Sequence, residues 1–504
     1  MIALPTKLMQ SPLLAFPIGA LTVFAFSPFK LWWVALIAIA VLRLLHRQLQ
    51  RPALTGLYFG LGYFGFGTSW VFNSVYEFGQ APWPVAILIT LCFVMALSLF
   101  MSGCLLLVSR LESHCPSALA SELIFIALWL LMEWLRGWLF TGFPWLLLGH
   151  SVIDSPLQGV LPVFGTLGAS AVILALALLL SAALRALRCS PRGFKLPAAV
   201  SLLLVGLLLA LGQQQWTEDV TGSTLKVAIM QGNIPVEMKW SQDRRAEIYA
   251  VYLEMSQQHL DRDVIIWPET AIPTYFRIAE RDFLGDFRNQ LIASSTQLLS
   301  GSFRYQKEPE KTYNSVVVVG EGLQKYDKQH LVPFGEYLPL RWVFDIFRRF
   351  VTIPMSDLSS GVGPPLLSIA GIPVGISICY EAIFGREIIR ALPQAQILIN
   401  VTNDSWFGNS LAPHQHLQIA RVRARETERY LLRSTSTGIS AVIDPMGRVL
   451  QQTEQFKRQT LTAEVQARRG HTPYSYWGDS AILVLTLGLL VIALGPASGR
   501  TKSV

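Results

Sequence analysis

Two hydropathy regimes divide the chain. Through the first two hundred residues, long apolar stretches are broken by short basic loops: from Ala53 to Ser109 the single charged side chain is Glu77, and from Val160 to Leu184 there is none. A helix needs ~20 apolar residues to cross the hydrocarbon of a bilayer. On that pattern, spans are predicted at 12–27, 31–45, 55–76, 83–108, 118–136, 160–184 and 196–212, with an eighth at 480–497. From about Gln213 to Asp479 the pattern changes to short apolar runs bounded by turn residues. Strands are predicted at "LKVAIMQGNI" (225–234), "DVIIWPETA" (263–271), "LLSGSFRY" (298–305), "YNSVVVVG" (313–320), "PVGISIC" (373–379), "AQILINVTND" (395–404) and "STGISAVIDP" (436–445). Helical periodicity falls between several of them, at 244–260, 281–294 and 416–432. Strands alternating with helices predict a layered α/β domain with its chemistry at strand ends.

Composition sharpens this division. Of 504 residues, 52% are hydrophobic and 15% charged, and a mean hydropathy of +0.42 is abnormal for a soluble enzyme. The basic residues of the short loops then set orientation, because Lys and Arg beside a span are retained on the cytoplasmic side. Lys7, Arg43, Arg47, Arg51, Arg110, Arg185, Arg188, Arg192, Lys195, Arg500 and Lys502 fall on one face, and only Lys30 and Arg136 on the other. The expectation is a multi-pass membrane protein with both termini cytoplasmic and the polar segment outside. The net charge of +8 is mostly this topology signal, with no basic stripe for nucleic acid. Pro12, Pro17 and Pro28 interrupt the first apolar run, which reads as a retained anchor rather than a cleaved signal. Predicted domains are 1–215, 216–478 and 479–504, and Tyr474, Tyr476 and Trp477 precede the last span where amphipathic rings prefer the headgroup level.

Of five cysteines, Cys92, Cys104, Cys115 and Cys189 lie in or beside the spans, and Cys379 alone belongs to the outer segment. A lone thiol in an oxidising space cannot form a structural disulfide there, so it is either a reactive group or a small buried hydrophobe. Three ionisable residues close apolar strands: Glu269 after "VIIWP", Lys328 after "LQKYD" and Cys379 after "VGISI". A carboxylate, an ammonium and a thiol are the base, oxyanion donor and nucleophile of acyl transfer through a thioester. A strand-end Glu could equally cap a helix, and a Lys in "YDKQH" could simply be solvated.

The combination "WPET", "YDKQHLVPFGEYLP" and "ICYE" resembles the nitrilase superfamily. Such a domain between seven N-terminal spans and one C-terminal span resembles the apolipoprotein N-acyltransferase family, with "QGNIPVEMKW", "VTNDSWFG", "TGFPWLLLGHS" and "SWVFNSVYEFG" extending the likeness. The resemblance implies an eight-helix transmembrane bundle plus an extracytoplasmic nitrilase-like α-β-β-α sandwich, in the bacterial inner membrane with the catalytic domain periplasmic. It implies Cys379 as nucleophile, Glu269 as general base and Lys328 as oxyanion-stabilising cation, with Glu336 supporting the site and Trp240, Tyr380 and Glu381 handling substrate. The implied donor is a phospholipid such as phosphatidylethanolamine. The implied acceptor is the α-amino group of an S-diacylglyceryl cysteine opening a lipoprotein, and no cofactor is implied. His150 stands where a Tyr is expected in relatives.

Because both substrates keep their chains in lipid, "YLPLRWVFDIFRRFVTIPM" (337–355), with aromatics interleaved with Arg341, Arg348 and Arg349, is read as a membrane-dipping lid, or else as an amphipathic helix packed on its own domain. "PHQH" (413–416) makes a poor metal site for want of further ligands. Trp406 in "NDSWFG" lines an acyl pocket or sits in a buried turn, and Glu122 and Glu133 are functional candidates because acids in spans are costly, although Arg136 could pair with Glu133. Two other functions stay open: a tethered nitrilase-type amidase acting on a soluble C–N bond, and a transporter or lipid-binding module.

Overall fold

The computed structural model describes residues 11–189, 194–338 and 357–495, so all but the first two residues of the lid segment lie outside the described residues. The chain forms two compact units. One comprises Met1–Ser69, Ile87–Gln214 and Trp477–Val504, the other Trp70–Ala86 and Gln215–Tyr476.

The first unit is helical. Among the described residues, four helices are long and apolar enough to cross a membrane: Trp83–Glu112, Ala118–Arg136, Gln158–Leu187 and Lys195–Gln213. Pro12–Ala25 and Ser480–Leu494 are apolar but shorter. Trp33–Gln48 and Pro52–Gly67 have 16 residues each, about 24 Å of helix against a hydrocarbon core of about 30 Å. Small residues let backbones meet: a Cβ on Gly19 would fall 2.0 Å from the Phe59 carbonyl, and one on Gly62 2.0 Å from that of Phe16. Several buried charges of the unit are paired or hydrogen-bonded among the described residues. Glu122 receives Arg43, Arg47 and Arg185 at 2.7, 2.9 and 3.0 Å, so Arg43, fully buried, serves an ion network as well as the topology pattern. Glu133 accepts from Trp129 Nε1 and the Leu148 amide, while Arg136 donates to the carbonyls of Phe143, Trp145 and Leu146. His150 is buried beside them in sequence at Leu148–Asp154.

The second unit holds two sheets. Strands β1 (Thr217–Gln231), β2 (Val264–Ile266), β3 (Ile272–Tyr275), β4 (Gln297–Gln306), β5 (Lys311–Val319) and β6 (Leu323–Asp327) join β13 (Gln459–Gly470) in the order β13-β1-β2-β4-β5-β6, with β3 on β4. Strands β7 (Leu366–Ile369), β8 (Ile372–Ile378), β9 (Ile397–Thr402), β10 (Leu431–Thr435), β11 (Ala441–Ile443) and β12 (Val449–Gln452) form the second sheet in the order β12-β11-β10-β9-β8-β7. Alternation of side chains along the strands puts two apolar faces on each sheet. Val227 and Ile229 of β1 and Ile397, Ile399 and Val401 of β9 meet in one core between the sheets. Ala228 and Met230 turn the other way, onto the helix Arg245–Gln257 and the helix Gly285–Ala293. Leu398 likewise turns onto the helix Ala412–Thr427. The result is the four-layered helix–sheet–sheet–helix arrangement.

Several elements depart from the sequence pattern. The strand expected at 436–445 covers only β11 (Ala441–Ile443), its first half being the turn at Ser436–Ser440 that follows β10, and the helix expected to reach 432 stops at Thr427, where Glu428 takes a left-handed φ of 48°. Leu431 onward pairs with β9 instead, a long-range contact that overrides local helical periodicity.

Candidate active site

Each candidate reactive residue follows the carboxyl end of a strand: Glu269 after β2, Lys328 after β6 and Cys379 after β8. The first two strands belong to one sheet and the third to the other, so the shared core holds the three ends in register across the sandwich. The Glu269 loop lies close on β4. Gly301 donates to the Pro268 carbonyl at 3.2 Å, and a Cβ there would come within 2.6 Å of the Glu269 Cα, which is why only glycine fits.

Glu269, Lys328 and Glu336 are all buried. Lys328 Nζ lies 2.9 Å from Glu336 and 3.7 Å from Glu269. Asn314 on β5 donates from one amide nitrogen to Glu269 Oε1 at 2.8 Å and to Glu336 Oε1 at 2.9 Å. Burial opposes the charge on Lys328, but Glu336 and Glu269 outweigh it and hold the ammonium above its ordinary value. Burial pushes the Cys379 thiol up to about 12, and Glu269 adds to this, while Lys328 and the Thr402 hydroxyl work against it. At neutral pH Cys379 is therefore held as a thiol, and any chemistry through its sulfur would need a base to take that proton. Cys379 itself adopts a left-handed φ of 50°, a strained conformation for a side chain-bearing residue that its surroundings must fix.

The other candidates occupy distinct places. Glu381 is buried and accepts from Tyr326 Oη, the Gln329 and His330 amides and the Ile378 amide, at 2.8, 2.7, 3.2 and 2.7 Å. It ties the loop after Lys328 to the turn that carries Cys379. Tyr380 packs edge-on to His330 and Phe384. Trp240 lies against Phe303 at 6.1 Å between ring centroids, with its indole N–H buried and without an acceptor among the described residues. Trp406 packs on Phe78, and its carbonyl accepts from Ser74 Oγ at 2.7 Å, so the turn is covered by the Trp70–Ala86 segment.

Sequence reasoning passed over three polar groups in this site. Asn314 is one. Lys239, buried beside Trp240, donates to the Glu269 carbonyl at 3.1 Å, and burial lowers it to about 8 against the opposing pull of Glu269 and Cys379. The third is the buried pairing of His416 with Asp404, since His416 was read only as part of a poor metal site. The legible signal was a charged or amide side chain inside an apolar strand or beside a motif; the partner was not legible.

The two-sheet unit has the nitrilase-like carbon–nitrogen hydrolase fold, and residues 226–474 match the carbon-nitrogen hydrolase family model. Residues 18–179 match the apolipoprotein N-acyltransferase N-terminal domain. An apolipoprotein N-acyltransferase of Methylococcus capsulatus is 41% identical over 490 residues, covering 96% of each chain. That of Nitrosomonas europaea is 40% identical over 502 residues, covering 97% of this chain and 98% of its own. A carbon–nitrogen hydrolase superfamily protein of Xanthomonas campestris aligns in structure with 16% identity and a TM-score of 0.36, over 55% of this chain and 98% of its own. The chain belongs to the apolipoprotein N-acyltransferase family, and with its long apolar helices it is a membrane protein.

Proposed function

We propose that this protein transfers an acyl chain from a phospholipid, through a thioester on Cys379, to the α-amino group of the S-diacylglyceryl cysteine that opens an apolipoprotein. The observation that carries this reading is the convergence of Glu336 and Glu269 on Lys328, at 2.9 and 3.7 Å, with Glu269 and Lys328 both acting on the charge of the Cys379 thiol, in a chain of this family. Glu269 takes the thiol proton as sulfur attacks the ester carbonyl, and Lys328 with the Tyr380 backbone N–H receives the negative oxygen, each donor contributing roughly 3 kcal/mol. Glu269 returns the proton to the departing lysophospholipid alcohol. It then takes one from the incoming ammonium and gives it to the departing sulfur as the amine attacks the thioester, restoring the thiol, while the second proton lost by the nitrogen leaves through Glu269 to solvent. Two half-reactions on one sulfur give ping-pong kinetics.

The apolar helices support placement in the bacterial inner membrane. In this reading the spans number eight, the domains run 1–215, 216–478 and 479–504, the catalytic domain is periplasmic and both termini are cytoplasmic. The test is acylation by lipid. Purified protein incubated with phosphatidylethanolamine gains an acyl mass on Cys379 that is absent from Cys379→Ser and is discharged by a diacylated lipopeptide. Hydrolysis of small amides without any lipid-derived acyl-enzyme would turn the reading to an amidase.

A further inference from the structure

Asn314 is hydrogen-bonded to Glu269, Lys328 and Glu336 alike, and the proposed chemistry gives it no role. It is fully buried on β5. Its backbone carbonyl accepts from the Lys328 amide at 2.8 Å, while its side-chain nitrogen donates to Glu269 Oε1 at 2.8 Å and to Glu336 Oε1 at 2.9 Å. The direction of the amide follows from these neighbours. A primary amide nitrogen carries two hydrogens, and an ionised carboxylate only accepts. With two carboxylate oxygens in reach, the nitrogen must face them and both hydrogens are used. The amide oxygen is then turned away, buried and without a donor among the described residues. Such an orphan opposes folding. An apolar side chain, as at Val316 to Val319 on the same strand, would avoid it, so packing alone does not account for an asparagine here.

The two carboxylates depend on this amide unequally. Glu336 also receives Lys328 Nζ at 2.9 Å and the Val332 amide at 2.8 Å. Glu269 has no other hydrogen-bond donor among the described residues, since Lys328 Nζ stands 3.7 Å from the same Oε1, beyond hydrogen-bond distance. The last torsion of a glutamate is broad, so a carboxylate without a partner turns freely about it. Removing the amide therefore leaves Glu336 anchored and Glu269 loose. With Oε1 pinned, Oε2 is the oxygen left to carry a proton.

We propose that Asn314 is a positioning residue for the general base: by holding Oε1, it fixes the plane of the Glu269 carboxylate and reserves Oε2 for the proton that leaves the Cys379 sulfur and returns to the departing alcohol. The inference rests on the reading of Glu269 as base and Cys379 as nucleophile. Asn314 itself exchanges no proton, and its amide keeps both hydrogens throughout. A base held in one orientation transfers its proton without first losing rotational freedom, which is the advantage that supporting hydrogen bonds give a catalytic group.

The test measures single-turnover acylation of Cys379 by phosphatidylethanolamine in the full-length protein, for Asn314→Val and Asn314→Asp, each alone and combined with Glu269→Gln. Val removes the donor; Asp keeps the shape of the side chain and, when ionised, presents only acceptors. Each single variant is expected to acylate roughly 10- to 10²-fold more slowly, the scale of one lost hydrogen bond to a charged group, with the phospholipid KM unchanged. Alkylation of the same sulfur by iodoacetamide needs no oriented base and is not slowed in Asn314→Val. Because Asn314 acts through Glu269, adding either substitution to Glu269→Gln changes the remaining rate by no more than about twofold, the error of such comparisons. Parent-like acylation in Asn314→Val overturns the inference, as does an equal loss in the two backgrounds or a loss matched by slower labelling. If Asn314→Val does not fold, Asn314→Asp decides by its acylation rate alone and in the Glu269→Gln background. Parent-like acylation in Glu269→Gln, or transfer surviving in Cys379→Ala, would instead overturn the reading on which the inference rests.

Discussion

Lys328 makes its closest ionic contact with Glu336, at 2.9 Å, and stands 3.7 Å from Glu269. Glu336 thus lies closer to the ammonium than Glu269 does, and in the proposed mechanism this leaves Glu269 free to serve as the base. Replacing Glu336 by Gln removes one of two negative charges around Lys328, so the ammonium turns to Glu269 and suppresses it as a base. We expect Glu336→Gln to lower the rate of Cys379 acylation by ~10²–10⁴-fold, the range of a lost general base, with little change in the phospholipid KM. Single-turnover acylation followed by mass spectrometry reads both quantities, and a variant that acylates at the parent rate would contradict this division of roles.

A thiol pushed up to about 12 is almost wholly protonated at neutral pH, and Glu269 is one cause of that shift. Glu269→Gln therefore has opposite effects on two reactions of the same sulfur. Removing the carboxylate lowers the thiol pKa, so iodoacetamide labels Cys379 faster at pH 8 than in the parent. Removing the base slows acylation by phosphatidylethanolamine, again by ~10²–10⁴-fold. Labelling that slows in parallel with acylation would mean that Glu269 does not raise the thiol pKa.

Glu381 entered as a substrate-handling residue by resemblance, yet its carboxylate is occupied by one phenol and three backbone amides. A Gln at this position offers one acceptor oxygen where two are used, leaving a buried N–H without a partner at a cost of about 1–3 kcal/mol. Glu381→Gln should lower the melting temperature in detergent by several degrees and reduce acylation and iodoacetamide labelling together, because the Cys379 turn and the loop after Lys328 lose their tie. A variant with parent stability and a raised lipid KM would return Glu381 to the substrate.

The strand ends that carry Glu269, Lys328 and Cys379 were readable because apolar runs terminating in a single ionisable residue stand out in any linear scan. The β10–β11 end of the second sheet was harder. "STGISAVIDP" reads as one strand by composition, yet Ser436–Ser440 is a turn because Ser440 and Thr435 share the Gln231 amide oxygen, a partner more than two hundred residues away. His416 was weighed only as a metal ligand in "PHQH", since nothing in the sequence places its ring against Asp404 and Arg433. Lys239 was hidden beside a more conspicuous tryptophan, and its significance comes from burial and from the Glu269 carbonyl, neither of which a linear pattern carries.

That same Lys239 provides a pH signature. Burial lowers it from 10.5 to about 8, with Glu269 and Cys379 pulling the other way. Below pH 8 it is an ammonium whose charge favours the developing thiolate and oxyanion; above pH 8 it is neutral and the help is lost. Acylation should therefore fall as pH rises through about 8. Lys239→Arg, charged to beyond pH 12, should remove this descending limb, and Lys239→Met should lower the plateau and flatten the profile. Stability carries the same signature with its sign fixed by proton binding. The unfolded lysine holds its proton up to about 10.5 while the folded one releases it from about 8, so folding is penalised at and below pH 8 by about 3 kcal/mol, and the penalty disappears as pH rises from about 8 to 10.5. The melting temperature of the parent relative to Lys239→Met should accordingly rise across that window. A constant difference, or a limb that persists in Lys239→Met, would assign the titration to another group.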